Sequence, residues 1–402
     1  MQETQGMTVR ASEIEQQGLR EAVPAPVPIV STLELPRTVF GAGTLSTLRD
    51  ELAALGVARP LLVTDKGVVA VGIAARAVDA CRDAASMPVF DGVTENPLFA
   101  DVDSGAAFYR QHRCDGVVAL GGGSVIDTAK IIALLATNQG RAADYLGVRN
   151  VAHRAAAPLL VVPTTAGTGS EASPSAGIHP DAATASVGMN SRHLVPRVVI
   201  LDPQLTRSLP PGLTAATGID ALSHCVEGYL SRKSAPLGDA IALEGIARVA
   251  QHLRRAVADG TDAEARGGMM LAAFAGGVSI AMGLGPAHAV AIACSDQGFP
   301  HGILSGIGLV ATLDATQLRV PDRAGAVARA LGLAPAVSLS QGVASLMREV
   351  GLPTTLAELG YVATDVDALA RSAHSSHFNL FAPVHPSASE YAAMLRRSLA
   401  LR

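Results

Sequence analysis

Tryptophan is absent, and the chain has only 8 Phe and 5 Tyr in 402 residues. This leaves no tryptophan platform on which unstacked bases could lie. Charge of either sign is also scarce: 31 Lys and Arg face 35 Asp and Glu, for a formal net charge of -4. That balance argues against a general nucleic-acid or membrane-surface role, because both need an excess of positive charge. Only four cysteines occur (Cys81, Cys114, Cys225, Cys294), each isolated, with no C-x-x-C pair. Zinc ribbons, dithiol redox motifs and disulfide scaffolds are therefore excluded, and a reducing, cytoplasmic setting is expected. The first residues show no charged-then-apolar signal, and the apolar runs are strand-sized, so no transmembrane helix is expected. What the chain does have is bulk. Apolar residues make up 49% of it, enough for a large core spread over about two domains.

Residues 1–31 are polar and then proline-spaced, and read as a mobile leader. From residue 32 to about 205, short β-branched runs alternate with alanine-rich stretches of helical period, as in a parallel sheet covered by helices. Strands are expected over 37–40, 60–64, 87–90, 115–120, 159–163 and 198–203, with helices over 44–55, 66–84, 102–113 and 125–136. From 206 to 402 the β-branched runs largely vanish, which predicts an all-helical second domain. The fold class is thus an α/β, Rossmann-like N-terminal domain plus an all-α C-terminal domain.

Three consecutive glycines, Gly121, Gly122 and Gly123, separate a buried strand from a helix and are followed by Ser124. Glycine lets backbone N–H groups and the helix N-terminus approach a pyrophosphate. The run is neither G-x-G-x-x-G nor a Walker loop. Asp65, at the end of the second strand, suits a ribose diol and suits a helix N-cap equally well. Asn96, in the Asn-Pro turn after the third strand, joins the cofactor candidates. The hydroxyl-rich run from Thr164 to Glu171 can donate to phosphate, ribose or a carboxamide, through Thr164, Thr165 and Thr168.

In the second half, Asp220 and His224 stand four apart in a helical segment, on one face. His288 and His301 follow among small residues. Three imidazoles and a carboxylate suit a divalent first-row metal acting as a Lewis acid. On spacing alone, a metal centre and a set of buried core histidines are equally supported. Cys225 and Cys294 adjoin these positions, but small buried hydrophobes are the plainer reading of both.

Taken in order, Gly121-GGSVIDTAK-Lys130, Pro163-TTAGTGSE-Glu171, Leu201-Asp202-Pro203, Gly218-IDALSHCVEGY-Tyr229 and the segment 287–302 resemble the iron-containing (group III) alcohol dehydrogenases. The likeness covers roughly residues 33–395. It implies a cofactor and a metal facing each other across the cleft of a dehydroquinate synthase-like architecture, metal ligands at Asp220, His224, His288 and His301, and a homodimer. It also implies a pyrophosphate turn at Gly121–Ser124, with Thr164, Thr165 and Thr168 lining the cofactor and Asp127 in the helix below. The cofactors implied are ferrous ion, with zinc as a substitute, and NAD(H). A carboxylate at Asp65 would repel a 2'-phosphate, which favours NAD(H) over NADP(H). The substrate is expected to be a small aldehyde or its primary alcohol, with no nucleic acid or membrane partner.

The chain departs from the family pattern in two places. Ile292 stands where a second histidine usually follows four residues after the first of the late pair, and isoleucine carries no proton. A lysine common before the last strand of the first domain is missing from 186–196, where Arg192 and His193 stand instead. These two would suit an anionic aldehyde such as phosphonoacetaldehyde, although a solvated surface pair is the plainer reading. Three related activities share the fold and stay open: a maleylacetate-type reductase, a sugar-phosphate cyclase and a glycerol-phosphate dehydrogenase. A non-catalytic nucleotide-binding module is also compatible.

Overall fold

The computed structural model describes residues 33–400 apart from 82–86, 149–152, 185 and 234. The leader expected over 1–31 lies outside the described residues.

Among the described residues six strands form one parallel sheet: β1 (Arg37–Phe40), β2 (Pro60–Val63), β3 (Val89–Phe90), β4 (Gly116–Gly121), β5 (Leu159–Pro163) and, after a separate hairpin, β8 (Val198–Leu201). Their order across the sheet is β1-β8-β5-β4-β2-β3. The helices of this half are α1 (Leu48–Ala54), α2 (Lys66–Ala70), α3 (Ile73–Ala80), α4 (Phe99–Gln111) and α5 (Gly123–Thr137). Strand side chains alternate between two cores. Leu62, Val118, Leu120, Leu160, Val162 and Ile200 meet Leu48, Val68, Ile73 and Ala77 on one face. Leu61, Val63, Val117, Val161 and Leu201 join α4, α5 and the helical half on the other. Burial on both faces explains why these strands read as unbroken apolar runs. The chain leaves β2 toward β3 and leaves β4 toward β5, in opposite directions. A crevice therefore opens at the carboxyl ends of β2 and β4, which is where Asp65 and the glycine run emerge.

Two expectations are corrected. The helix expected over 66–84 breaks after α2, because Gly72 sits at φ 78, a left-handed conformation that ends one helix and starts the next. An antiparallel hairpin, β6 (Ser175–Ile178) paired with β7 (Val187–Asn190), also escapes the sequence reading. Its Ser, Gly, Met and Asn residues lack the β-branched run on which a strand is recognised.

The helical half comprises α6 (Pro211–Leu230), α7 (Pro236–Ala258), α8 (Ala263–Ile280), α9 (Pro286–Ala293), α10 (His301–Arg319), α11 (Pro321–Ala330), α12 (Leu339–Glu349), α13 (Leu356–Leu359), α14 (Val366–Ser375) and α15 (Ala388–Leu399). Helix α6 is buried all round from Ile219 to Leu230, so it forms the axis on which the others pack. Among the described residues no helix is long and apolar enough to cross a membrane.

Candidate active site

Helix α6 presents Asp220, His224 and Glu227 along one face, at successive helical turns. Glu227 is buried, and its two oxygens accept from the backbone N–H groups of Gly285 (3.0 Å), Ala287 (2.7 Å) and His288 (3.3 Å). It thereby caps the start of α9, where a carboxylate satisfies orphan donors and the helix dipole together. The same carboxylate lies 2.7 Å from His288 Nδ1. A carboxylate only accepts, so Nδ1 carries the proton and Nε2 is left as the free electron pair. His288 Nε2 is buried without a hydrogen-bond partner in the described residues. An orphaned acceptor in the interior is costly, and a cation would satisfy it.

His301 opens α10, which lies against α6 so closely that a Cβ on Gly302 would meet Ala216 O at 2.1 Å. His301 Nε2 stands 3.8 Å from Asp220 Oδ1, and His224 Nε2 stands 3.9 Å from it. The Ser305 hydroxyl donates to the same oxygen at 3.0 Å. Ligand atoms of Asp220, His288 and His301 all fall within 4.8 Å of one another. The His224 ring stacks on His288 at 4.8 Å, and its Nδ1 is likewise buried and unpartnered. Burial, with His288 and His301 nearby, pulls His224 down to about 4 against Asp220 and Glu227. Burial pushes the Asp220 carboxyl up, but His224, His301 and His288 outweigh it and hold that group below its ordinary value. Burial also lowers His301, against the pull of Asp220, and a lowered imidazole gives up its proton more readily, as a divalent metal requires of its ligands. Carboxylate and imidazole donors fit ferrous ion, and fit zinc as well. His301 is 42% exposed, so the cluster opens to solvent on that side.

On the sheet side, Gly121 pairs with Pro163, and the Thr164 N–H donates to Gly121 O at 3.0 Å. A Cβ on Gly123 would stand 2.8 Å from Thr168 Cγ2, and one on Gly122 would stand 3.2 Å from Thr165 Cγ2. Close packing therefore requires the glycines, and it lays the threonine loop over the first turn of α5. Ser124 donates its hydroxyl to Glu95 O, which brings the exposed Asn96 to the same turn. Asp65 Oδ1 accepts from Val68 N–H at 2.9 Å, so this residue is the N-cap of α2 and stands at the crevice as well. Asp127 points inward: its Oδ2 accepts from Gly177 N–H at 2.9 Å.

The structure does not bring Arg192 and His193 to this crevice. They form a short 3-10 turn ahead of β8, at the amino end of the sheet, where His193 meets His153 with ring centroids 5.3 Å apart. The proposed anion anchor fails because loops entering parallel strands lie at the opposite edge from loops leaving them. Burial, then Arg192 and His153, lower His193. Cys225 and Cys294 lie outside the ligand group, and burial pushes both thiols up to about 12, so they pack as small hydrophobes. Ile292, one turn beyond His288, is 37% exposed. Sequence reasoning missed Glu227 and Ser305. Glu227 had a signal, since it stands seven residues after Asp220 on the same helical face.

Residues 36–203 match the family model described as iron-containing alcohol dehydrogenase, and 214–399 match the Fe-containing alcohol dehydrogenase C-terminal model. The chain belongs to the iron-containing alcohol dehydrogenases. It is 40% identical to 4-hydroxybutyrate dehydrogenase of Cupriavidus necator over 370 residues, 89% of this chain and 96% of that protein. Among solved structures it resembles 1,3-propanediol oxidoreductase, with a TM-score of 0.86 and 30% identity over 92% of this chain and all of that one. It also resembles sulfoacetaldehyde reductase from Bifidobacterium kashiwanohense in complex with NAD+, with a TM-score of 0.84 and 29% identity over 93% of this chain and 100% of that one. As an iron-containing alcohol dehydrogenase the chain is an oxidoreductase, of a family that uses iron and NAD(H).

Proposed function

We propose that this iron-containing alcohol dehydrogenase interconverts a short aldehyde bearing a distal anionic group with its primary alcohol, exchanging hydride with NAD(H). The observation that supports this most is the unpartnered His288 Nε2, set by Glu227 beside Asp220, His224 and His301. Those four residues would hold the metal, which supplies Lewis acidity that polarises a carbonyl and stabilises alkoxide charge. The backbone of Gly121–Gly123 and the first turn of α5 would take the pyrophosphate, with Thr164, Thr165 and Thr168 beside it. Asp65 would meet the adenosine ribose and disfavour a 2'-phosphate, which makes NADH the better reductant. With isoleucine at 292, a proton reaches the alkoxide through water entering past the exposed edge of His301.

The anionic class rests on the similarity to a hydroxy-acid dehydrogenase and to a sulfoacetaldehyde reductase. A four-carbon oxo acid is therefore the first substrate to try, and phosphonoacetaldehyde the next. The four cysteines are free and buried, which accords with a cytoplasmic setting. A homodimer is also proposed, since among the described residues β1 is an edge strand with Phe40 46% exposed. The test is the initial rate of NADH consumption by anaerobically iron-loaded protein, with 4-oxobutanoate, phosphonoacetaldehyde and propanal at equal concentration. A faster rate with either anion, abolished by a chelator, supports the reading. Faster propanal turnover would remove the anionic class, and no turnover of any of the three would remove the reaction.

A further inference from the structure

The loop over residues 164–174, between β5 and β6, touches both halves of the site. On one side lie Gly122 and Gly123, against Thr165 and Thr168. On the other, a Cβ on Gly167 would stand 2.2 Å from Thr217 O, less than one turn before Asp220 on α6. A Cβ on Gly169, which adopts φ +67, would stand 2.4 Å from Gly277 N on α8, and one on the adjoining Gly276 would stand 3.2 Å from His224 Cβ. A shift of this loop would therefore move the cofactor turn relative to the metal helices.

Four bonds from α5 hold the end of the loop and the start of β6 that follows it. Lys130 Nζ donates to Ser173 O (2.9 Å), Ser173 Oγ (3.1 Å) and Ser175 O (2.6 Å), and Asp127 Oδ2 accepts from Gly177 N–H. The Lys130 side chain is wholly buried. Three donors on three acceptors use up the ammonium, and its counter-charges are Asp127 Oδ1 at 3.9 Å and the buried Glu171. A buried cation is costly to desolvate, and a residue needed only to fill space would be apolar.

We propose that Lys130 is a positioning residue: its ammonium fixes the 164–174 loop to α5 and so sets the cofactor turn in register with the metal cluster. The inference rests on the cofactor and metal sites proposed above. All four metal ligands lie on α6, α9 and α10. Lys130 should therefore govern cofactor binding and turnover, and leave metal binding alone. Helix α5 both begins in the glycine turn and carries the clamp, so one element sets both ends of the loop.

The experiment compares the parent, Lys130→Met and Ser173→Ala as iron-loaded protein. It measures bound iron, the NADH dissociation constant by fluorescence, and kcat/KM. Lys130→Met should keep its iron and lose about 10²-fold in kcat/KM, the size of effect expected from an ångström of misplacement, with weakened NADH binding. Ser173→Ala removes one acceptor and should weaken NADH binding about threefold. Lys130→Met that folds, holds iron and matches the parent in NADH binding and kcat/KM would overturn the inference. If Lys130→Met does not fold, parent-like NADH binding by Ser173→Ala overturns it instead. Fluorescence reads cofactor binding without turnover, so a parent that reduces no aldehyde sinks the proposed reaction and still leaves the clamp tested.

Discussion

Replacing Glu227 by glutamine separates the shape of the metal site from its electronics. The two side chains have nearly the same volume, so packing on α9 is kept. The carboxylate accepts four contacts, from Gly285, Ala287 and His288 N–H and from His288 Nδ1. Glutamine offers one acceptor oxygen and turns an NH2 donor toward donors on the other side. At least one buried N–H loses its partner, and hydrogen bonds to charged groups are worth about 1.5–3 kcal/mol. His288 is also released from its tautomer. Changes of this kind behind a ligand typically weaken metal binding by about 10–100-fold. The assay is ferrous or zinc affinity by competition with a coloured chelator, alongside thermal unfolding of the metal-free protein. Glu227→Gln should unfold at lower temperature and hold metal correspondingly less tightly. Metal affinity equal to the parent's in a folded variant would refute the argument that Glu227 sets the donor atom of His288.

His288→Ala removes the best-oriented donor while leaving the sheet side untouched; it should abolish turnover and keep NADH binding near the parent value by fluorescence titration. Gly123→Ala places a methyl 2.8 Å from Thr168 Cγ2, and such overpacking costs about 1–3 kcal/mol. Its NADH affinity should fall and its iron content stay unchanged, the mirror image of His288→Ala. A pH prediction follows from His224, whose folded value of about 4 lies below its ordinary 6.5. Between these values the unfolded chain binds the proton that the folded chain refuses, so its contribution to stability falls as pH drops from 6.5 through 4. Burial holds Glu171 up at about 7, which gives the opposite slope between 4.5 and 7. The comparison is therefore between metal-free parent and His224→Gln by thermal unfolding. The variant should lose less stability on acidification, and parallel curves would contradict the buried, neutral imidazole.

Much of the site could be read locally. Asp220 and His224 are one turn apart, so a helix alone puts them on one face, and the three glycines after an apolar run mark a turn where backbone is exposed. Glu227 obeys the same helical arithmetic and went unread because a lone acid beside apolar neighbours has many ordinary explanations. The hairpin β6–β7 and the break at Gly72 were missed for lack of a distinctive residue pattern. Arg192 and His193 were misplaced for a different reason: residues before and after a parallel strand look alike in sequence, yet lie at opposite edges of the sheet.

The succession of strands and helices in the first half, the helical second half and the placing of Asp220 and His224 on one helix face could be read in the sequence itself, because periodicity and spacing are local properties of the chain; His288 and His301 joined them as expected ligands through the family resemblance. Only the tertiary structure decided what depends on distant partners. It freed His288 Nε2 through Glu227, placed Asp127 on Gly177 and Lys130 on Ser173 and Ser175, and put the basic pair at the wrong end of the sheet for catalysis. Each of these is a hydrogen bond or a position set by residues tens of places away, and no window of sequence contains both members.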